Sequence, residues 1–280
     1  MSLGGGQQIE SQSSQHQVTQ QLVTPPSSQP TLNSSELKVE LVTEGFQHPT
    51  SMSFIGDDGD ILVTQKSGKV FLFSIENKTK ISILDFTVSV FNERGLLGVA
   101  VLYSNISSSI SPQTSNTVET FPNDNKTFVF FYLTEASKDN RTEVLGNRVY
   151  RFEWNDANKS LSNGTLILDL PVEPGLRHNG GKLAIDSKSG HLYAVIGDVN
   201  RNGTLQNIKN GSLPDDTSVI LRVNPDGSPA QDNPFLNISR SNSSYANLSK
   251  YYAYGIRNSF GMDFDPLTSN LWITENGPAR

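Results

Sequence analysis

Short apolar runs recur along this chain, separated by clusters of Gly, Asn, Asp, Ser and Pro, and no segment sustains the 3.6-residue period of an amphipathic helix. Three of the runs align without a gap. Met52-Ser53-Phe54 falls on Leu183-Ala184-Ile185 and on Met262-Asp263-Phe264. Reading on, Gly59, Gly190 and Ser269 coincide, as do Ile61, Leu192 and Leu271, then Leu62, Tyr193 and Trp272, then Thr64, Val195 and Thr274. Each unit is an alternating strand, a polar turn and a second strand, the pattern of a β-hairpin. A fourth copy begins at Val99-Ala100-Val101, with its partner strand, Phe128 to Tyr132, displaced by an Asn/Ser/Thr-rich insertion from Tyr103 to Lys126 that reads as a surface loop.

Further strands are predicted at Lys69–Phe73, Arg148–Trp154, Thr165–Leu168 and Val219–Val223, closed by turns such as Asn224-Pro225-Asp226-Gly227. Units of about four strands repeating at this spacing predict an all-β fold, a β-propeller of four-stranded blades, in which radial repetition protects the sheet edges. A sandwich or barrel would not explain a gapless match that recurs.

Composition narrows the picture. The 280 residues are 35% hydrophobic, enough to bury a sizeable core. A net charge of -6 leaves no basic stripe for nucleic acid. Cysteine is absent, which removes disulfides, thiolate nucleophiles and cysteine-bound metals. No run of about 18 apolar residues is present to span a membrane as a helix. Residues 1–36 are Gln/Ser/Thr/Pro-rich and read as a disordered tail or linker, with 37–280 as a partial propeller domain. The leading Met1-Ser2-Leu3-Gly4-Gly5-Gly6 reads as a non-native leader replacing an upstream signal or anchor. Twelve Asn-x-Ser/Thr triplets, from Asn33 to Asn247, predict an exported, glycosylated surface protein; abundant loop Asn and Ser are the alternative source of such triplets.

The chemistry concentrates in Gly175-Leu176-Arg177-His178-Asn179-Gly180-Gly181-Lys182-Leu183. Paired glycines let backbone approach a ligand closely, and a loop histidine exchanges protons near neutral pH. His16 lies in the tail, His48 precedes Pro49 in a turn, and His191 sits in a hairpin. Two other segments read as parts of one site: Glu93-Arg94-Gly95-Leu96-Leu97-Gly98, and Gly255-Ile256-Arg257-Asn258 followed by Glu275-Asn276-Gly277-Pro278. In order and spacing this set resembles the soluble glucose and aldose sugar dehydrogenases that use pyrroloquinoline quinone (PQQ), from about Leu37 to Arg280.

The resemblance implies oxidation of an aldose at its anomeric hydroxyl to the lactone, with electrons passing from PQQ to an external acceptor. It implies that His178 is the general base and that Arg257 stabilises charge on the reduced quinone. Glu93, Arg257 and Asn258 would contact the cofactor, Glu93 standing where relatives often carry glutamine. Asp198 would orient His178 or bind a sugar hydroxyl. The carbonyls of Gly277 and Pro278 would join a calcium ion. The family closes six blades whereas four units begin here, so the resemblance also implies a missing C-terminal third. Two rivals share the propeller: a calcium-dependent lactonase, and a non-catalytic module that binds glycans or proteins.

Overall fold

A computed structural model describes residues 34, 36–103, 126–140, 142–201, 205–211 and 213–277. The chain divides into two units, Met1–Val42 and Thr43–Arg280. The expected tail, 1–36, and the insertion between Tyr103 and Lys126 fall almost wholly outside the described residues. In the first unit the described residues form no helix or strand.

The second unit is a β-propeller arc of antiparallel meanders. The first sheet runs β1 (Pro49–Ile55), β2 (Asp60–Gln65), β3 (Lys69–Phe73) and β4 (Lys80–Asp85). The second runs β5 (Leu96–Leu102), β6 (Thr127–Ala136), β7 (Val144–Asn155) and β8 (Ser160–Leu170). The third comprises β9 (Leu183–Ile185), β10 (Leu192–Ile196), β11 (Val219–Val223) and β12 (Tyr251–Tyr254), followed by a hairpin of β13 (Ser259–Phe264) and β14 (Leu271–Glu275). The strands β1, β5, β9 and β13 stand side by side and line the central channel.

The repeat fixes the register. Phe54 pairs with Ile61, Ile185 with Leu192 and Phe264 with Leu271, the same cross-strand pair in each copy. The displaced copy follows suit, Val101 pairing with Val129. The coincident turn residues Gly59, Gly190 and Ser269 have φ of 70°, 74° and 60°. Glycine adopts this left-handed conformation without penalty, and Ser269 holds it at a cost.

Alternation along each second strand fills the layers between sheets. On β6, Val129, Phe131 and Leu133 face the first sheet with Leu62, Val70 and Leu72, whereas Phe130 and Tyr132 face the third. On β10, Leu192, Ala194 and Ile196 pack toward the second sheet while Tyr193 and Val195 pack on the last hairpin. One local feature departs from the sequence expectation of no helix. The β11–β12 connection holds a short helix, α1 (Leu236–Ser241), and a 3-10 segment over Ser243–Lys250, both too brief to show periodicity. Among the described residues no helix is long and apolar enough to cross a membrane, a statement that does not bear on β-barrels.

Candidate active site

Each even-numbered strand ends on one face of the arc, and the predicted segments are the connections that leave those ends. Glu93 follows β4, His178 follows β8, Asp198 follows β10, Arg257 follows β12 and Gly277 follows β14. Residues far apart in sequence therefore meet on one face.

His178 anchors the cluster. It is 8% exposed and has φ of 61°, a left-handed conformation that costs about 1 kcal/mol or more for a non-glycine residue. Surrounding bonds hold it there. Its backbone N–H donates to Glu93 Oε2 at 2.6 Å, and its Nδ1 lies 2.5 Å from Oδ1 of the fully buried Asp198. Asp198 Oδ1 also accepts from the Asn200 N–H at 3.0 Å. An ionised carboxylate selects the tautomer with its proton on Nδ1, which leaves the lone pair on Nε2. Nε2 has no hydrogen-bond partner among the described residues.

Asn258 ties the next element in. Its Oδ1 accepts from the N–H groups of Gly180 and Ser259, both at 3.1 Å, and its Nδ2 donates to Glu93 Oε2 at 3.3 Å. The backbone crowds here: a Cβ on Gly197 would sit 2.4 Å from the His178 carbonyl oxygen and 2.5 Å from that of Arg257. Only glycine permits that approach. The Arg257 carbonyl accepts from the Asp198 N–H at 2.8 Å. Arg257 N–H donates to Glu275 Oε1 at 2.8 Å, and its Nη1 donates to the Asn276 carbonyl at 2.7 Å, with the Gly277 carbonyl at 3.5 Å.

The structure thus brings Glu93, His178, Asp198, Arg257, Asn258 and Gly277 together. Pro278 lies outside the described residues, and Arg177, beside the histidine, is on the accessible side of the connection.

Beneath the His178 connection lies a layer that sequence reasoning missed. Tyr132 OH donates to the Asn179 carbonyl at 2.8 Å. Thr134 Oγ1 donates to Asn147 Oδ1 at 2.8 Å, and Asn147 Nδ2 donates to Asn179 Oδ1 at 3.1 Å and to the Pro171 carbonyl at 2.7 Å. The side chains of Tyr132, Thr134, Asn147 and Asn179 are all buried. Burial drives the Tyr132 hydroxyl well above its ordinary pKa, so it remains a donor. Arg94, 4% exposed, braces the preceding segment by donating to the carbonyls of Val172 at 2.9 Å and Gly175 at 3.1 Å.

A cavity of about 510 Å³ opens on the same face, lined by Lys66, Glu93, Leu97, Gly180, Lys182 and Phe260 among others. His178 does not line it, but Glu93 and Gly180 belong to the bonded cluster around that residue. Lys66 Nζ donates to the Asn92 carbonyl at 2.5 Å. The Lys182 ammonium has no hydrogen-bond or ion-pair partner among the described residues.

A propeller whose strand-end connections converge on a histidine–aspartate pair, with a central cavity opening on the same face, defines the general class. The particular family follows from sequence: the chain belongs to the Glucose / Sorbosone dehydrogenase family, whose profile matches residues 115–280. The aldose sugar dehydrogenase YliI of Escherichia coli K12 is 23% identical over 243 residues, covering 86% of this chain and 57% of that protein. Among solved structures, a Thermus thermophilus protein named as a putative oxidoreductase (glucose dehydrogenase) matches with TM-score 0.64 and 26% identity, over 86% of this chain and 62% of that one. The PQQ-bound aldose sugar dehydrogenase of Streptomyces coelicolor matches with TM-score 0.61 and 25% identity, over 86% of this chain and 60% of that one. The chain spans little more than half the length of the curated relatives it matches.

Proposed function

We propose that this chain carries the general base and part of the cofactor pocket of a PQQ-dependent dehydrogenase that oxidises an aldose to its lactone and passes the electrons to an external acceptor. The observation that carries this reading is the buried Asp198–His178 pair, in which Nδ1 faces the carboxylate and Nε2 points away from it, and whose connection is bonded through Glu93 and Gly180 to the wall of the cavity. The donor set suits an anionic cofactor. Lys182 and Lys66 place ammonium groups at the cavity wall, and the volume falls in the range of cofactor sites. Arg257 and Asn258 stand at the adjoining corner. When bound, PQQ supplies the two-electron acceptor.

The residues then have separate tasks. His178 Nε2 takes the proton of the anomeric hydroxyl, and Asp198 stabilises the imidazolium that results. Glu93 and Asn258 hold the His178 connection against the Arg257 corner. The guanidinium of Arg257 offsets negative charge that develops near it.

Calcium fits these residues less well. The Gly277 carbonyl lies beside Arg257 Nη1, and among the described residues no three His, Asp or Glu side chains converge as ligands. No step is therefore assigned to the ion.

The test is reconstitution of the protein with PQQ, then an aldose with a dye acceptor, with lactone measured as product. Stoichiometric dye reduction and lactone formation, each dependent on PQQ, are expected. Lactone hydrolysis without PQQ would replace this reading with the lactonase, and saturable sugar binding without turnover would replace it with the binding module.

A further inference from the structure

Among the described residues, the asparagines that begin an Asn-x-Ser/Thr triplet are set apart from those buried in the core. Asn147, Asn179, Asn233 and Asn258 are buried and spend their amides on internal bonds, and none begins an Asn-x-Ser/Thr triplet. The described triplet asparagines, Asn77, Asn140, Asn158, Asn163, Asn210, Asn237, Asn242 and Asn247, are all exposed. Asn92, Asn155, Asn200, Asn270 and Asn276 are exposed without beginning a triplet, so exposure alone does not mark an acceptor, but every described acceptor has the exposure that attachment of a bulky glycan demands.

Topology sorts them a second time. The candidate site occupies the connections that leave even-numbered strands. Asn77 lies in the β3–β4 turn and Asn158 in the β7–β8 turn, at the opposite ends of those strands, and Asn163 sits close to the same end of the outermost strand β8. Asn237, Asn242 and Asn247 occupy the helical connection from β11 to the outermost strand β12. Among the described acceptors, Asn140 and Asn210 stand in connections on the site face, Asn247 Nδ2 donates to Asp216 Oδ2 of the β10–β11 connection on that face at 2.9 Å, and none lines the central cavity.

We propose that these asparagines carry N-linked glycans, placed so that the coat covers the far ends and outer rim of the blades and leaves the mouth of the cavity bare. The modification puts the chain outside the cytoplasm, where a sugar substrate and an external acceptor both reach the uncovered face. Each glycan also adds a hydrated volume over turns that are otherwise open to proteases.

Glycopeptide mass mapping of the protein recovered from the envelope and secreted fractions of its own source tests this. Peptides bearing Asn77 and Asn158, and at least one of Asn237, Asn242 and Asn247, should carry added hexose or related sugar mass at the asparagine. Detection of all of these peptides only at their unmodified masses would overturn the proposal. Modification confined to Asn140 and Asn210 would overturn the far-face arrangement. The readout is independent of catalysis, so it stands or falls separately from the dehydrogenase reading.

Discussion

The two halves of the candidate site are built differently. On one side, the β8–β9 connection buries His178 and Asn179, and five side chains from other parts of the chain bond to it: Glu93, Tyr132, Asn147, Asp198 and Asn258. On the other side, Glu275, Asn276 and Gly277 are exposed, and Arg257 is held by one carboxylate and two carbonyls. Buried polar groups are costly to leave unmet, about 1–3 kcal/mol each, so the first half has one geometry in which all of them are satisfied. The second half competes with water at every bond and is positioned less sharply. The proposed proton transfer, which needs heavy atoms within about 3 Å, would draw on the half that is locked.

The largest expected effect comes from emptying that half of its chemistry. His178→Ala should lower kcat by about 100-fold or more while PQQ affinity changes little, as expected for loss of the proposed general base, and the thermal midpoint should fall because the fully buried Asp198 loses one of its partners. Steady-state kinetics at saturating PQQ decide this. A variant with normal turnover removes His178 from the mechanism.

A second, smaller effect separates locking from stability. Asn147→Leu keeps the side-chain size but strands Thr134 Oγ1, Asn179 Oδ1 and the Pro171 carbonyl inside the protein. The midpoint should fall, and kcat should fall about tenfold through misplacement of His178, with KM affected less. Leu62→Ala is the matched control. It empties the core between the first two sheets, far from the connection, at about 2–5 kcal/mol, and should lower the midpoint with kcat unchanged. If the two variants lose turnover in parallel with stability, Asn147 has no positioning role.

The same contrast explains how much was legible beforehand. The hairpins were readable because a local rule governs them: alternation fixes which side chains share a layer, and the gapless repeat fixes the pairs Phe54–Ile61, Ile185–Leu192 and Phe264–Leu271. Glu93, His178, Asp198, Arg257 and Asn258 stood out through their glycine-rich contexts and the family resemblance. The layer beneath them did not. Tyr132 and Asn147 occupy ordinary strand positions, and their partner Asn179 lies 47 and 32 residues away, a separation that no periodicity encodes. The one available signal was Asn147 itself, a polar residue in the interior of the long strand β7. Burial was equally illegible, for it depends on what packs against a position. Leu62, Tyr193 and Trp272 are equivalent in the repeat, yet they are 0%, 3% and 67% exposed.

Glu93 joins the two halves and allows the finest test. One of its oxygens, Oε2, accepts from both the His178 N–H and Asn258 Nδ2, and Oε1 has no partner among the described residues. Glutamine can present its single carbonyl oxygen to the same two donors, so Glu93→Gln should preserve the connection and leave kcat within about twofold of the parent. The substitution removes a negative charge from a cavity proposed to hold an anionic cofactor. At a separation of several ångströms and an effective dielectric near 20 or above, screened further by the open face, that change is worth about 1 kcal/mol, or roughly fivefold tighter PQQ binding. Glu93→Ala removes the acceptor as well as the charge, and should lower kcat while loosening the connection. Fluorescence titration with PQQ, paired with kinetics on all three proteins, reads both quantities. Should the glutamine variant bind PQQ more weakly and turn over as poorly as the alanine variant, the charge itself is required, and Glu93 acts on the cofactor or the proton rather than as the acceptor that fastens His178 to Asn258.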